Sequence, residues 1–257
     1  MSKRAIITGA SSGIGLALAR ELTRRGWAVA MLARRVELLS NEASALPGAV
    51  AIACDVADSA AVHRAVREAE TRLGGSLDLA VANAGVGIQG HATKFNLADA
   101  ERMIKVNVLG MLYLFAAVIP SMVERRSGQF AGMASIAGLR GLPSSSTYSA
   151  SKTAMQSFLE ASRIELAPHN VAVTIVNPGF IATPMTEKNR FRMPFLMQPD
   201  RAARVIADGL ERGKRVVEFP LPMSILMRSI RLIPDAIYDR VMRSYAGRKM
   251  DPARGKR

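Results

Sequence analysis

Short apolar runs rich in β-branched and small residues alternate with longer segments of helical spacing along most of this chain. Seven of these runs are strand candidates, at residues 4–8, 28–33, 49–54, 77–82, 128–134, 171–176 and 215–219. Such alternation is typical of βαβ units with a parallel sheet. Because the runs are apolar almost throughout, both faces of the sheet must be covered. We therefore predict an α/β fold with a doubly wound parallel sheet of about seven strands in three α/β/α layers.

Helical spacing predicts helices over residues 14–25, 59–73, 98–123, 147–166 and 199–211. No tract rich in proline, glycine or serine divides the chain, and 257 residues lie within the size of one α/β domain. The sequence therefore predicts a single domain in which the βα unit is repeated.

The charge of the chain is strongly basic, with 35 Lys and Arg against 21 Asp and Glu and a formal net charge of +14. Residues 190–257 alone hold 16 basic and 7 acidic side chains. An anionic partner such as a nucleic acid is the first hypothesis for such an excess. Aromatic residues make up only 5%, too few for a stacking platform, and no recognition motif is present. We therefore expect no nucleic-acid partner.

Cysteine usage and apolar run lengths bear on the compartment. The single cysteine, Cys54, cannot form an internal disulfide, and no signal-peptide pattern follows Met1. The longest apolar stretch, residues 108–119, is short of the roughly 20 residues that cross a bilayer. We expect a cytoplasmic protein without a transmembrane helix.

A glycine-rich turn, TGASSGIG at residues 8–15, joins the first predicted strand to the first helix. Glycine permits a tight turn and close approach to a phosphate, which the amides and dipole at a helix N-terminus attract. A strand, this turn and a helix together predict dinucleotide binding on a Rossmann-like fold.

Two arginines, Arg34 and Arg35, directly follow the second predicted strand. An NAD-binding protein would carry a carboxylate at this point for the ribose 2′-hydroxyl. A planar guanidinium suits phosphate oxygens instead. We expect NADP(H) to be preferred, with Arg34 the first candidate for the 2′-phosphate and Arg35 the second. NAD(H) stays an alternative, as does a plain solvated helix start at these arginines.

A candidate catalytic pair, Tyr148 and Lys152, lies four residues apart on a predicted helix and hence on one face. A tyrosine with its ordinary pKa near 10 is a poor acid or base at neutral pH, and a nearby ammonium lowers that pKa. Ser135 ends a predicted strand, where its hydroxyl can face a substrate carbonyl. Asn107 is a polar residue at the head of an apolar helical run.

With these residues the chain resembles the classical short-chain dehydrogenases/reductases over roughly residues 3–220. The matching pieces, in order, are TGASSGIG, Asp55-Val56, Asn83-Ala84-Gly85, Asn107, Ser135, Tyr148 with Lys152, and Pro178-Gly179 followed by Thr183. Two departures, Ala82 and Ala134 at positions where the family often has Asn and Ser, leave the reaction class unchanged.

The resemblance implies a role for each matching residue. Tyr148 would be the general acid/base, Ser135 would orient the carbonyl, Lys152 would bind the nicotinamide ribose, and Asn107 would hold a relay water. The implied cofactor site comprises Gly9, Ser11, Ser12, Gly13, Ile14, Gly15, Arg34, Arg35, Asp55, Val56, Asn83, Ala84, Gly85, Tyr148, Lys152, Pro178, Gly179, Ile181 and Thr183. No metal ion is called for.

The activity implied is an NADP(H)-dependent oxidoreductase that reduces a ketone or aldehyde to an alcohol by reversible hydride transfer. The alternative is a non-catalytic NADP-binding sensor or scaffold on the same fold. The resemblance also implies a homodimer or homotetramer, with the helices around 98–123 and 147–166 at the interface.

Two segments outside the motifs remain to be assigned. Residues 184–199 have apolar side chains without a clear period, which favours a lid over a lipophilic substrate; a surface helix is the other interpretation. Gln89 and His91 could reach the same crevice. We divide the chain into a catalytic domain over 1–220, lid included, and a basic amphipathic extension over 221–257. Residues 221–245 could cover the site, pack on a second subunit or contact a membrane, the last being less favoured.

Overall fold

Seven parallel strands form one sheet in the order β3-β2-β1-β4-β5-β6-β7. The computed structural model describes residues 2–187, 189 and 192–250, the last seven by their backbone alone. The strands are β1 Arg4–Thr8, β2 Ala28–Ala33, β3 Ala49–Ala53, β4 Leu79–Ala82, β5 Gly128–Met133, β6 Val171–Pro178 and β7 Val216–Phe219. Strands β2 and β3 lie on one side of β1, and β4 to β7 lie on the other, so the strand order changes side between β1 and β4. Open α/β sheets bind ligands at this point. The predicted fold class is confirmed.

Helices cover both faces of this sheet. They are α1 Gly13–Arg24, α2 Val36–Ser44, α3 Ser59–Leu73, α4 Leu97–Met103, α5 Gly110–Glu124, α6 Ser146–Leu166, α7 Pro199–Glu211, α8 Leu221–Leu232 and α9 Asp235–Met250. Alternate strand residues point to opposite faces, so that Ile7 packs with α1, α2 and α7, and Ile6 with α3, α5 and α6. Three layers result, as predicted.

Three differences between the predicted and the observed elements have an identifiable physical cause. The helix predicted over 98–123 consists of α4, a π-helical turn at Ile104–Leu109, and α5. Helix α2 was not predicted, because only two of its nine residues are buried and its apolar period is weak. Strand β6 extends to Pro178, because Asn177 and Pro178 pair with β7, a tertiary contact that local sequence does not specify.

One helical stretch in the described part of the chain, Leu97–Glu124, is long and apolar enough to span a membrane by length and composition. The core helix of a globular protein meets the same criterion. Its α5 segment packs on α3 and on β4 and β5, with Leu114 and Met122 fully buried in that core.

The extension after β7 forms α8 and α9, in agreement with the helical spacing of the sequence. Met223 and Met227 of α8 are buried in a small third apolar cluster with Ile136, which follows Ser135. The extension therefore packs on the loop that carries a predicted catalytic residue.

Candidate active site

The glycine turn after β1 is built for close backbone contact. Gly9 has φ +67°, and a Cβ there would lie 2.8 Å from the Cα of Ala84. A Cβ on Gly15 would lie 2.4 Å from Nδ2 of Asn83 and 2.5 Å from the carbonyl oxygen of Gly9. Side chains at these positions would therefore collide with backbone or with Asn83. The need for glycine at both positions agrees with the sequence prediction.

Hydrogen bonds tie this turn to the loop after β4. The Thr8 hydroxyl oxygen accepts from the amides of Asn83 and Ala84, each at 3.0 Å. Asn83 Nδ2 in turn donates to the carbonyl of Thr8 at 2.9 Å. The ends of β1 and β4 are thus held together where the sheet reverses its order.

The N-terminus of α1 is open to a ligand. Ser12 is the N-cap residue in an extended conformation, and its side chain does not cap the helix. Within the described residues the hydroxyls of Ser11 and Ser12 have no hydrogen-bond partner, and the first amides of any helix lack intrahelical acceptors. Thr183 lies alongside, since a Cβ on Gly13 would be 3.1 Å from its Cγ2. Hydroxyls, amides and tight backbone together fit a dinucleotide phosphate.

The ends of β2 and β3 carry the predicted adenosine contacts. Arg34 and Arg35 are exposed, and neither makes an ion pair or side-chain hydrogen bond with the described residues. Asp55 is also exposed, and its carboxylate accepts from the amide of Ala57 at 3.0 Å. Val56 is buried against Gly110. The two arginines are therefore free to bind an anion.

Ser135 and Tyr148, the predicted carbonyl-orienting and acid/base residues, lie at the centre of the candidate site. Ser135 caps a short 3-10 turn, Ile136–Gly138, by accepting from the amide of Ala137 at 3.2 Å, and its Oγ lies 3.4 Å from the carbonyl of Pro178. Burial raises the pKa of the Tyr148 phenol, and hydrogen bonding to Ser135 opposes that rise. The Tyr148 phenol is therefore protonated near neutral pH.

Lys152 lies one turn further along α6, as its spacing predicts. Its Nζ is 5.8 Å from the centre of the Tyr148 ring and donates to the carbonyl of Met133 at 2.7 Å. The side chain is almost fully buried, and desolvation lowers the pKa of Lys152 to about 8. A partly neutral amine at physiological pH gains from any ligand that brings acceptor oxygens or negative charge.

Asn107 lies fully buried in the π-helical turn. Its Oδ1 accepts from the amide of Val86 at 2.8 Å, and its Nδ2 donates to the carbonyl of Val86 and to Oγ of Ser151, each at 3.0 Å. A Cβ on Gly85 would meet Oδ1 of Asn107 at 3.3 Å and Nζ of Lys152 at 3.6 Å. Asn107 thus joins the loop after β4 to the helix of Tyr148 and Lys152.

The segment after β6 closes another side of the site. The amide of Gly179 donates to Phe219 at 2.7 Å, and a Cβ there would lie 2.9 Å from Pro220. Ile181 is buried and forms a parallel bridge with Met197. The segment from Pro178 to Thr183 is therefore held in place by these contacts. It runs from Ser135 to the glycine turn.

Part of the predicted lid lies next to Tyr148. A Cβ on Gly87 would meet Sδ of Met185 at 3.3 Å and Cε2 of Tyr148 at 3.4 Å, so both side chains lie next to Gly87. Gln89 Nε2 donates to Oδ1 of Asn189 at 2.9 Å, so the loop after β4 contacts this segment as predicted. His91 instead caps a surface turn at Thr93.

Other lid residues have different surroundings. Phe195 and Leu196 are exposed, Met197 is buried, and Phe191 lies outside the described residues. Sequence reasoning also missed three contributors, namely Ser151, Gly87 and the carbonyl of Met133. Ser151 follows Tyr148 by three residues, but helical spacing alone does not distinguish a site residue from core.

Taken together, the sheet, the glycine turn and the polar cluster define a nucleotide-binding α/β fold with a Tyr-Lys-Ser site at the carboxyl ends of its strands. The model of the family described as short chain dehydrogenase matches residues 3–193. This chain belongs to the short-chain dehydrogenase family and is an oxidoreductase that uses a nicotinamide cofactor.

Two relatives cover most of the chain. An uncharacterized oxidoreductase of Myxococcus xanthus is 38% identical over 94% of this chain and 96% of its own length. The ketoacyl reductase HetN of a Nostoc species is 30% identical over 94% of this chain and 88% of its own. The match therefore extends through the C-terminal region as well as the motifs.

Two solved structures share the fold closely. A short chain dehydrogenase from Burkholderia cenocepacia in complex with NADP has a TM-score of 0.82 and 28% identity, with 94% of this chain and 98% of that chain covered. The 3-ketoacyl-(acyl-carrier-protein) reductase of Brucella melitensis complexed with NADH has a TM-score of 0.80 and 28% identity, with 86% and 98% covered. Neighbours of this fold thus bind either nicotinamide cofactor.

Proposed function

We propose that this protein is an NADP(H)-dependent reductase that converts the carbonyl of a lipophilic ketone or aldehyde to an alcohol. The observation that carries the proposal is the convergence of Ser135, Tyr148 and Lys152 at the carboxyl end of the sheet, beside a glycine turn that fits a dinucleotide. A bound reduced nicotinamide would supply the hydride.

The side chains of this centre would divide the remaining work. The Ser135 hydroxyl would donate to the carbonyl oxygen and orient it, and Tyr148 would give that oxygen its proton as the carbon is reduced. The Lys152 ammonium stabilises the phenolate left behind, since opposite charges nearby favour the ionised form. Asn107 positions the helix of Tyr148 and Lys152 through Ser151 and Val86, and it would hold the relay water that the family resemblance implies.

The remaining cofactor-binding residues lie at the carboxyl ends of the strands or directly after them. Ser11, Ser12 and the first amides of α1 would bind the pyrophosphate, Asp55 and Val56 the adenine, and Pro178 to Thr183 the nicotinamide end. NADP(H) preference rests on Arg34 and Arg35, which are exposed, unpaired within the described residues and unopposed by a carboxylate at the end of β2. Two guanidinium groups there favour a 2′-phosphate over a hydroxyl.

A lipophilic substrate is supported by the apolar surroundings of Ser135. Ile136, Met223 and Met227 are buried together, with Phe180 and Leu142 packed against them, and Met185 lies beside Tyr148. Among ketones, a 3-oxoacyl thioester is favoured, since two neighbours carry ketoacyl reductase names. A non-catalytic NADP-binding protein is the alternative, and the complete Asn-Ser-Tyr-Lys set argues against it.

Assembly as a homodimer or homotetramer through α5 and α6 belongs to the same proposal. Exposed Ile164 on α6 and the many half-buried apolar residues of α5 support such an interface.

The decisive experiment measures NADPH and NADH oxidation with purified protein across 3-oxoacyl thioesters, lipophilic ketones and aldehydes. The proposal expects turnover with at least one carbonyl class, faster with longer apolar substrates and with NADPH. Cofactor binding without turnover on any class would support the non-catalytic alternative instead.

A further inference from the structure

Helix α8 is apolar on two opposite faces, only one of which is covered. Its inward face buries Met223 and Met227 against the loop after Ser135. Its outward face leaves Leu221 68%, Ile225 56% and Leu232 84% exposed. Arg228 and Arg231 of the same helix are exposed as well, so α8 presents apolar and basic side chains together, and no described residue covers its outward apolar face.

Helix α9 follows α8 and also exposes apolar side chains, and three contacts hold its first turn against the protein. Arg140 forms an ion pair with Asp235 at 2.5 Å and stacks 4.4 Å from the ring centre of Tyr238, whose hydroxyl donates to the carbonyl of Gly141. Ile237 and Val241, on the same helix, are exposed. These contacts anchor the start of α9, and Ile237 and Val241 face the surroundings.

Unpaired positive charge lies on both helices, beside the exposed acidic residue Asp239. Arg231, Arg240 and Arg243 are exposed, and none of them forms an ion pair with the described residues. By contrast, Arg228 is neutralised by Glu218 at 2.8 Å. Exposed aliphatic side chains interleaved with unpaired arginines are the composition of a helix that lies at an anionic lipid interface.

We propose that the outward surface of α8 and α9 docks on an anionic lipid membrane, parallel to its plane. The apolar residues Leu221, Ile225, Leu232, Ile237 and Val241 would enter the interface, and Arg231, Arg240 and Arg243 would contact the headgroups. A second copy of this chain is a poorer occupant, because a symmetric contact would bring the three unpaired arginines of each copy together.

The two faces of α8 connect the membrane to the reaction site. The same helix contacts lipid on one side and, through Met223 and Met227, the residue after Ser135 on the other. A substrate dissolved in the bilayer would thus reach an apolar wall of the site over a short path. The docking itself rests on α8 and α9 alone and does not depend on the proposed function.

The test is co-sedimentation of the full-length protein with vesicles of phosphatidylcholine alone or with about a third phosphatidylglycerol. We expect binding to the anionic vesicles, weakened by salt, and little binding to the neutral ones. The triple variant Arg231→Glu, Arg240→Glu, Arg243→Glu should bind about 100-fold more weakly or worse, since each basic residue near the surface contributes about fivefold. Leu221→Ser with Ile225→Ser and Leu232→Ser should also lose binding.

A charge-matched control separates this surface from the overall basicity. The control variant carries Arg201→Glu, Arg204→Glu and Arg212→Glu, in α7 and directly after it. It changes the net charge by the same amount and should retain vesicle binding. No binding by the wild type, equal binding to neutral vesicles, or equal loss in the control would overturn the proposal. So would a serine variant that binds vesicles normally but shifts from oligomer to monomer in size-exclusion chromatography, which would identify a second copy as the occupant.

Discussion

The buried ammonium of Lys152 donates a 2.7 Å hydrogen bond to the backbone carbonyl of Met133, the last residue of β5. This single contact aligns the helix of the proposed acid/base residue with the strand that leads to Ser135. It also places the nitrogen in a buried position where its acceptors are neutral, this carbonyl and Sδ of Met155 at 3.6 Å. Burial therefore lowers the pKa of Lys152 to about 8, and the stability of the protein should depend on pH accordingly.

Below pH 8 both the folded and the unfolded chain hold the Lys152 proton, and the folded chain bears the full desolvation cost. Between pH 8 and 10.5 the folded chain releases its proton first, so this contribution to the free energy of unfolding rises by about 3 kcal/mol. Lys152→Met should abolish that rise. Urea denaturation of both proteins at about pH 7 and pH 9.5 measures the difference.

The buried thiol of Cys54 also changes the pH dependence of stability. Burial raises the pKa of its thiol to about 11, so its contribution to stability falls as pH rises from 9 through 11, opposite in sign to that of Lys152. Both proteins contain Cys54, and subtraction removes it. A difference between wild type and Lys152→Met that does not change with pH would contradict the assigned pKa.

Removal of the phenol hydroxyl tests the proton donor. Tyr148→Phe keeps the ring and its packing, and should reduce kcat/KM at least about 100-fold, since general acid/base groups typically contribute 10²–10⁴. NADPH should still bind, as fluorescence titration would show, because the rest of the implied cofactor site is unchanged. Retention of more than about a hundredth of wild-type turnover would show that another group supplies the proton.

Charge removal at the end of β2 tests cofactor choice. Arg34→Ala should lower kcat/KM for NADPH by roughly 10- to 100-fold, because a charge-assisted hydrogen bond contributes about 1.5–3 kcal/mol, while the value for NADH should stay nearly constant. Arg67→Ala, an exposed arginine on α3, is the matched control. Equal losses with both cofactors would mean that Arg34 does not read the 2′-phosphate.

The glycine turn can be tested against a second left-handed glycine. Gly26 has φ +84° with open space around its would-be Cβ, whereas the Cβ of Gly9→Ala would lie 2.8 Å from the backbone of Ala84. Gly26→Ala should therefore cost only the backbone strain, about 1 kcal/mol. Gly9→Ala should add displacement of the turn and lose NADPH binding. Unimpaired binding by Gly9→Ala would place the phosphates elsewhere.

The inward face of α8 predicts a stability contrast within one helix. Met227→Ala removes a buried side chain and should lower the free energy of unfolding by about 2–4 kcal/mol. Ile225→Ala, on the exposed face, should change it by less than about 0.5 kcal/mol. Similar losses in both variants would show that the outward face is covered in solution.

Local sequence was sufficient for the elements whose signals are local. Strands such as β1 and β2 were predicted to the residue, because continuous apolar runs bounded by glycine and charged residues mark a buried parallel strand. The spacing of Tyr148 and Lys152 likewise set both on one face of α6, since helix geometry alone determines that neighbourhood.

Other features depended on residues distant in the chain. The π-helical turn at Asn107 accompanies contacts with Val86 and with Ser151, 21 and 44 residues away. The end of β6 depends on β7, and the approach of Met185 to Tyr148 depends on the path of the chain after Thr183. No period or propensity encodes such pairings.

By itself, then, the sequence determined the fold class, the order of its elements and the residue types available for chemistry, because apolar periodicity and turn residues act over short distances. Only the tertiary structure decided which groups meet and in what state. The residues that pack nearby decide that Lys152 is buried and that Arg34 has no ion pair among the described residues. They also decide that α8 is buried on one face and exposed on the other. Desolvation and charge pairing are properties of the assembled surroundings, and a linear sequence does not contain them.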